Sequence, residues 1–183
     1  MSFSTKPTFV VWNVGGFEQS RSHPAMAWME NYTKMWDDRK VSEENAAEWN
    51  TTDYVFTDGK GVSTKGAVEA HRAATAVYAP FSEYHHEPDG PLSCWETENG
   101  YFMMGQATLF ADLPVPGETK SKVDVEGRKW DFAIPAMFQF EYVKDASGPG
   151  GLKMKSNTNF SDPTPAVVEM LKRGMLKPVQ LMG

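Results

Sequence analysis

Cysteine is almost absent from this chain of 183 residues: Cys94 stands alone, so no disulfide can form within the chain, and no metal-finger spacing accompanies it. A reducing, cytoplasmic setting is the simplest fit. Basic charge is also scarce, with 18 Lys plus Arg against 24 Asp plus Glu and a net charge of −6. No Lys/Arg block offsets that balance, which excludes a surface built to track nucleic-acid phosphates. Long apolar runs are missing too. The run from Phe9 to Trp12 is too short for a signal-peptide core or a membrane span, and no lipid-anchor motif accompanies it. The glycine-rich stretches Gly59 to Gly61 and Gly148 to Gly151 lack Walker or dinucleotide spacing, so no nucleotide cofactor is implied.

Aromatic residues, at 13%, and 11 methionines are plentiful, a composition that suits an adaptable apolar cavity as well as a core. The length fits one domain, residues 22–183, preceded by an irregular arm over 1–21. Ser22 and Pro24 open a predicted helix with Ala25, Trp28, Met29, Tyr32, Met35 and Trp36 at helical spacing. A short helix is predicted from Ser42 to about Trp49, then a strand through TDYVFTDG. A third helix follows Thr64, with Ala67, His71, Ala74 and Tyr78 along one side, and closes at Pro80. Five segments then read as strands: SEYHHE, LSCWET, YFMMGQATLFADL, WDFAIPAMFQFEYV and LKMKSNTNF. Pro114 to Lys129 reads as a solvated hairpin or lid. A terminal helix starts at Thr164 and Pro165 and stops at Gly174. This order predicts an α+β fold in which a curved, largely antiparallel sheet wraps around three N-terminal helices as a cone with an apolar interior.

Two of the four histidines, His85 and His86, are adjacent within SEYHHEPD. Alternation along a strand sends them to opposite faces, so at most one faces a pocket, and a simple two-histidine metal clamp is excluded. No metal is expected. Asp58, in FTDG, is either a turn former or a carboxylate whose burial would raise its pKa toward the range useful for general acid/base work. His86 is either satisfied by a neighbouring strand or an acid/base group. The stripe Trp28, Tyr32 and Trp36 is either core or pocket wall.

The Trp- and Tyr-bearing first helix, then DYVFTDGKGVSTKGAVEAH, then AMFQFEYV followed by LKMKSNTNFSD, resemble the nuclear-transport-factor-two-like superfamily over roughly Ala25 to Asp162. That superfamily includes SnoaL-like polyketide cyclases, ketosteroid isomerase, scytalone dehydratase and limonene epoxide hydrolase. The resemblance implies a cystatin-like α+β barrel, and it places Asp58 where ketosteroid isomerase carries its general base. The isomerase's protonated aspartate is replaced by Ala136. His86, before DGPLSCWE, matches the first of two scytalone dehydratase histidines, whereas the second falls near Leu113.

SnoaL-like cyclases depart least from this pattern. The resemblance therefore implies a cofactor-independent polyketide cyclase of secondary metabolism, closing an aldol or lactone ring with Asp58 and His86 as catalytic residues. The alternatives are isomerisation, dehydration or epoxide opening in the same pocket, and a non-catalytic binding or dimerisation module. Anchored on His86 and Asp58, strand parity turns Tyr84, Tyr54 and Phe56 inward, along with Phe138 and Phe140 and the smaller set containing Met103. With Trp28, Tyr32 and Trp36 they form the expected binding wall for a hydrophobic small molecule. The outer sheet face, with Phe102, Met104 and Phe110, would pair two chains as a homodimer.

Overall fold

The computed structural model describes residues 7–13, 16–118 and 120–181. Residues 1–6, 14 and 15 of the expected arm, 119 of the expected lid and 182–183 of the tail lie outside the described residues. Helix α1, Pro24–Asp37, starts one residue later than Ser22 would set it. His23 is the N-cap, its Nδ1 accepting the Ala25 N–H at 3.3 Å, with Pro24 as the first helical residue. Helix α2 is shortened to Ala46–Trp49. The Asn45 side chain accepts the Ser42 N–H and donates to the Lys40 carbonyl, so turn chemistry displaces the first helical turn expected there. Helix α3, Ala67–Tyr78, follows Gly66, whose φ of +105° favours glycine.

The main sheet has seven strands in the order β1-β4-β5-β8-β9-β2-β3. These are β1 Phe9–Asn13, β2 Asn50–Thr57, β3 Ser63–Lys65, β4 Glu83–Glu96, β5 Gly100–Asp112, β8 Phe132–Lys144 and β9 Leu152–Ser161. All neighbours pair antiparallel except β2 with β9, which run parallel. Two sequence expectations change here. Phe9–Asn13, read as part of an irregular arm, is an edge strand on β4. SEYHHE and LSCWET are halves of one strand, bent where the register shifts between Pro88 and Leu92; Gly90 sits in that bulge at φ +102°. Among the described residues β1 pairs with Gly90 to Cys94 of β4, and the end of α1 reaches the first half of β4.

A second, two-stranded ribbon, β6 Lys122–Val123 with β7 Lys129–Trp130, occupies the expected lid. Its described residues from 114 to 129 are exposed except Asp124, as expected of a solvated hairpin, and Trp130 anchors its end: Trp130 is 2% exposed, its Nε1–H donates to Asp124 Oδ2 at 2.7 Å, and its ring lies 6.5 Å from that of Phe110. Phe110 is thereby covered and cannot serve the dimer face expected of it. Helix α4, Thr164–Lys172, packs on β8 with Ala166 and Met170, and Gly174 at φ +69° follows its end. Thr164 lies inside this helix instead of capping it; the residue before it, Pro163, holds the cap position. No helix among the described residues is long and apolar enough to cross a membrane.

Candidate active site

The concave side of the sheet and α1, α3 and α4 enclose a cavity of about 300 Å³. This is near the lower bound for small-molecule sites. Tyr32, Trp36, Tyr54, Phe56, Phe138 and Phe140 line it, as the sequence parity requires, and so do Ala107 and Leu109 from the smaller-residue face of β5. Three expected wall residues are elsewhere. Trp28 is buried in the core, stacked 4.8 Å from Tyr32 and donating its Nε1–H to the Leu152 carbonyl at 2.9 Å. Met103 is fully buried in the same core. In both cases helical or strand parity gives the correct side, but core side chains fill the space there, as Tyr32, Trp49 and Tyr142 do around Trp28. Tyr84 lines a neighbouring cleft with Arg39 and His71, its hydroxyl donating to the Trp36 carbonyl at 3.3 Å.

Asp58 and His86 both line the cavity, although they lie four strand positions apart in the sheet; the curl of the sheet brings them together. Their surroundings differ. Asp58 is half-buried, and its Oδ1 accepts the N–H groups of Lys60 and Val62, both at 2.9 Å, closing the turn between β2 and β3. His86 is held at both ring nitrogens. Its Nδ1 lies 2.5 Å from Asp37 Oδ1, and its Nε2 lies 3.0 Å from the Tyr78 hydroxyl.

Asp37 is the residue that sequence reasoning missed. It ends α1 beside the first half of β4, where Oδ2 accepts the His86 backbone N–H at 3.0 Å and meets His85 Nδ1, also at 3.0 Å. The two histidines do face opposite sides of the strand, with His86 on the cavity. A carboxylate in the plane of the sheet edge can nevertheless touch both. A signal was present in the sequence: carboxylates at a helix C-terminus oppose the macrodipole, so Asp37 and Asp38 need compensating donors. The approach is secured by Arg39, at φ +57°, which donates to the Phe81 and Ser82 carbonyls.

Burial alone would push the Asp37 carboxyl up, but the His86 charge and the hydrogen bonds from both histidines outweigh it and hold Asp37 below its ordinary value. An ionised Asp37 only accepts, so Nδ1 of His86 carries a proton and donates to it, while Nε2 meets the Tyr78 hydroxyl. Burial pushes the phenols of Tyr32, Tyr54 and Tyr78 upward, so each remains a donor near neutrality. Two polar atoms on the wall, Trp36 Nε1 and Asn157 Oδ1, are buried without a hydrogen-bond partner. A polar group on a ligand would satisfy them.

On the other face, His85 Nε2 lies 3.3 Å from Glu87 Oε1, and the two hydrogen bonds to Asp37 and Glu87 push His85 up to about 10. Because this value is raised above the unfolded one, the stabilisation is complete below about pH 6.5, declines as pH rises, and is gone past about pH 10. Urea midpoints of the wild type and His85→Gln are expected to differ most at pH 6 and to converge by pH 10. His85, Glu87 and Asp124 also bring one potential metal ligand each within 4.8 Å of one another. Their hydrogen bonding fits a protonated imidazole better. Both ring nitrogens face carboxylates, and both oxygens of Asp124 accept protein N–H groups, from Arg128 and Trp130.

No protein-family model matches the sequence, and no curated protein matches it. Solved structures do share the fold. A nuclear transport factor 2 (NTF2-like) superfamily protein from Salmonella enterica is 13% identical, with a TM-score of 0.53 over 73% of this chain and 84% of its own. The hexachlorocyclohexane dehydrochlorinase LinA-type3 from Novosphingobium barchaimii is 17% identical, with a TM-score of 0.54 over 79% and 88%. Nuclear transport factor 2 from Cryptosporidium parvum is 12% identical, with a TM-score of 0.52 over 83% and 100%. The architecture is therefore the NTF2-like, cystatin-like α+β fold, which carries both enzymes and proteins named for transport.

Proposed function

We propose that this protein is a cofactor-independent enzyme that removes a proton from a carbon atom of a compact, largely apolar carbonyl compound. The observation that carries this reading is the Asp37–His86 pair opening onto the apolar cavity. Asp37 fixes the tautomer and stabilises the imidazolium that forms when Nε2 accepts the proton. Substrate oxygen takes over the Tyr78 hydrogen bond, which frees the Nε2 lone pair for the adjacent C–H and leaves the phenol to support the developing enolate. Asp58, the base expected from the sequence, has one carboxylate oxygen committed to its turn, so His86 is assigned the proton transfer and Asp58 the rim of the cavity.

Two outcomes can follow from the carbanion: departure of a group from the neighbouring carbon, or attack on a second carbonyl to close a ring. The cavity of about 300 Å³ favours elimination from a compact molecule, and the fold is known to carry a dehydrochlorinase. Ring closure on a polyketide-like chain, the expectation from sequence, asks the same cavity to hold both ends of a longer molecule. A homodimer through the outer sheet face remains part of the proposal on Phe102 and Met104, without Phe110.

Product analysis with a panel of β-hydroxy and β-halo ketones tests this. The expected product is lighter by the leaving group plus the abstracted proton, as water or hydrogen halide, with a new double bond and no new ring. An isomeric or dehydrated product with a new ring would restore the cyclase, and saturable binding without conversion would make the protein a carrier. Asp58→Asn, whose Oδ1 can still accept both turn N–H groups, is expected to retain turnover within about threefold, well short of the factor of about 10² or more for loss of a general base. A larger loss would return the base to Asp58.

A further inference from the structure

We infer that His85 is a positioning residue, a protonated bridge on the outer sheet face that shares the Asp37 carboxylate with His86 and ties that pair to the β6–β7 ribbon. The inference rests on the reading of His86 as the acid/base group, but its structural part stands apart from any reaction. Asp37 spends one oxygen on each imidazole, Oδ1 on His86 at 2.5 Å and Oδ2 on His85 at 3.0 Å. Opposite Asp37, the His85 ring meets Glu87, which is 5% exposed and itself accepts the Val125 N–H at 2.9 Å from the ribbon turn. Asp124 completes the anionic surround, and the Trp130 ring lies parallel to the imidazole with centroids 6.3 Å apart. A ring with a carboxylate at each nitrogen leaves one of them without a donor unless it carries two protons.

The charged groups facing this imidazole are Asp37 from α1, Glu87 from its own strand and Asp124 from the ribbon. Arg128, over Trp130 at 3.7 Å, is balanced by its pairs with Glu83 and Asp112, and Lys120 also pairs with Asp112. His86 faces Asp37, Tyr78 and Tyr84. The consequence is directional. A cation on the far oxygen of Asp37 reduces the negative field at His86 and so opposes its protonation. Removing that cation while keeping a donor should make His86 easier to protonate, by roughly one pH unit for a nearby unit charge at an effective dielectric of about 20.

Ring-nitrogen NMR of the histidine-labelled full chain tests this without a substrate. The four histidine signals are assigned by replacing His23, His71, His85 and His86 one at a time. His85 is expected to keep both ring protons to pH 9. In His85→Gln the His86 midpoint should rise by about one unit, and His85→Lys should restore it. A merely structural histidine would show neither the charge-dependent rescue nor the shift. If His85 loses a proton near pH 6.5, or the His86 midpoint is the same in wild type and His85→Gln, the inference is wrong. The same holds if one equivalent of Zn²⁺ moves the His85 signals in the wild type but not in Asp124→Asn, since His85 would then be a neutral ligand. Should His85→Gln fail to fold, the wild-type titration and the His85→Lys comparison still decide. If His86 proves dispensable for turnover while these shifts appear, the functional reading fails and the electrostatic bridge survives.

Discussion

Replacing His86 with glutamine is expected to lower kcat/KM about a thousandfold, the usual range for losing a positioned general base being about 10² to 10⁴. Glutamine fills a similar space and can hydrogen-bond to Asp37, so the fold should hold while the proton acceptor is lost. KM should change little, because the cavity wall from Tyr32 and Trp36 to Phe138 and Phe140 is untouched. Asp37→Asn is expected to cost about a hundredfold or more. An amide cannot present two anionic oxygens to two imidazoles and a backbone N–H, so it neither fixes the His86 tautomer nor stabilises its charged form. Because the two residues act as one unit, the double variant should be little worse than His86→Gln alone. Additive losses would mean that Asp37 and His86 act separately.

Trp28→Ala should instead destabilise the protein by about 3–5 kcal/mol, the range for deleting a large buried aromatic. Trp28 is 3% exposed and packs between Tyr32, Trp49 and Tyr142, with ring centroids 4.8, 5.6 and 5.1 Å away. Its loss also leaves the Leu152 carbonyl without the indole donor at the start of β9. For a chain of this length the melting temperature should fall by roughly 10 °C. The contrast with His86→Gln is diagnostic: the Trp28 variant is expected to lose stability and the His86 variant turnover. An unchanged melting temperature for Trp28→Ala would contradict the core placement and return Trp28 to the cavity wall.

The architecture was legible because its signals are local and mutually consistent. Apolar spacing from Ala25 to Trp36 marks α1, and alternation from Phe132 to Phe140 marks β8 and its inward face. Parity anchored on Asp58 correctly put Tyr54 and Phe56 on the cavity side, whereas Tyr84, paired with His86, lines a neighbouring cleft. Parity fixes only the side, however, and not what lies against it, which is why Trp28 and Met103 point as expected yet lie in the packed core instead of on the cavity wall. The turn signals around Pro88 and Gly90 are local too, but a bulge continues the strand where a turn would end it. The dyad was hidden for a different reason. Asp37 and His86 are 49 residues apart, and they meet because the end of α1 packs beside the first half of β4. No local pattern encodes that encounter, although an acidic helix C-terminus was a clue to it.

The most direct test is solvent deuterium incorporation, followed by mass spectrometry, when the full chain is incubated in deuterium oxide with a panel of compact aryl ketones and β-dicarbonyl compounds. Proton abstraction by His86 predicts uptake of deuterium at the carbon beside the carbonyl at rates far above the uncatalysed exchange, retained in Asp58→Asn and lost in His86→Gln. Exchange that persists in folded His86→Gln and disappears in Asp58→Asn would contradict the account and place the base at the rim of the cavity.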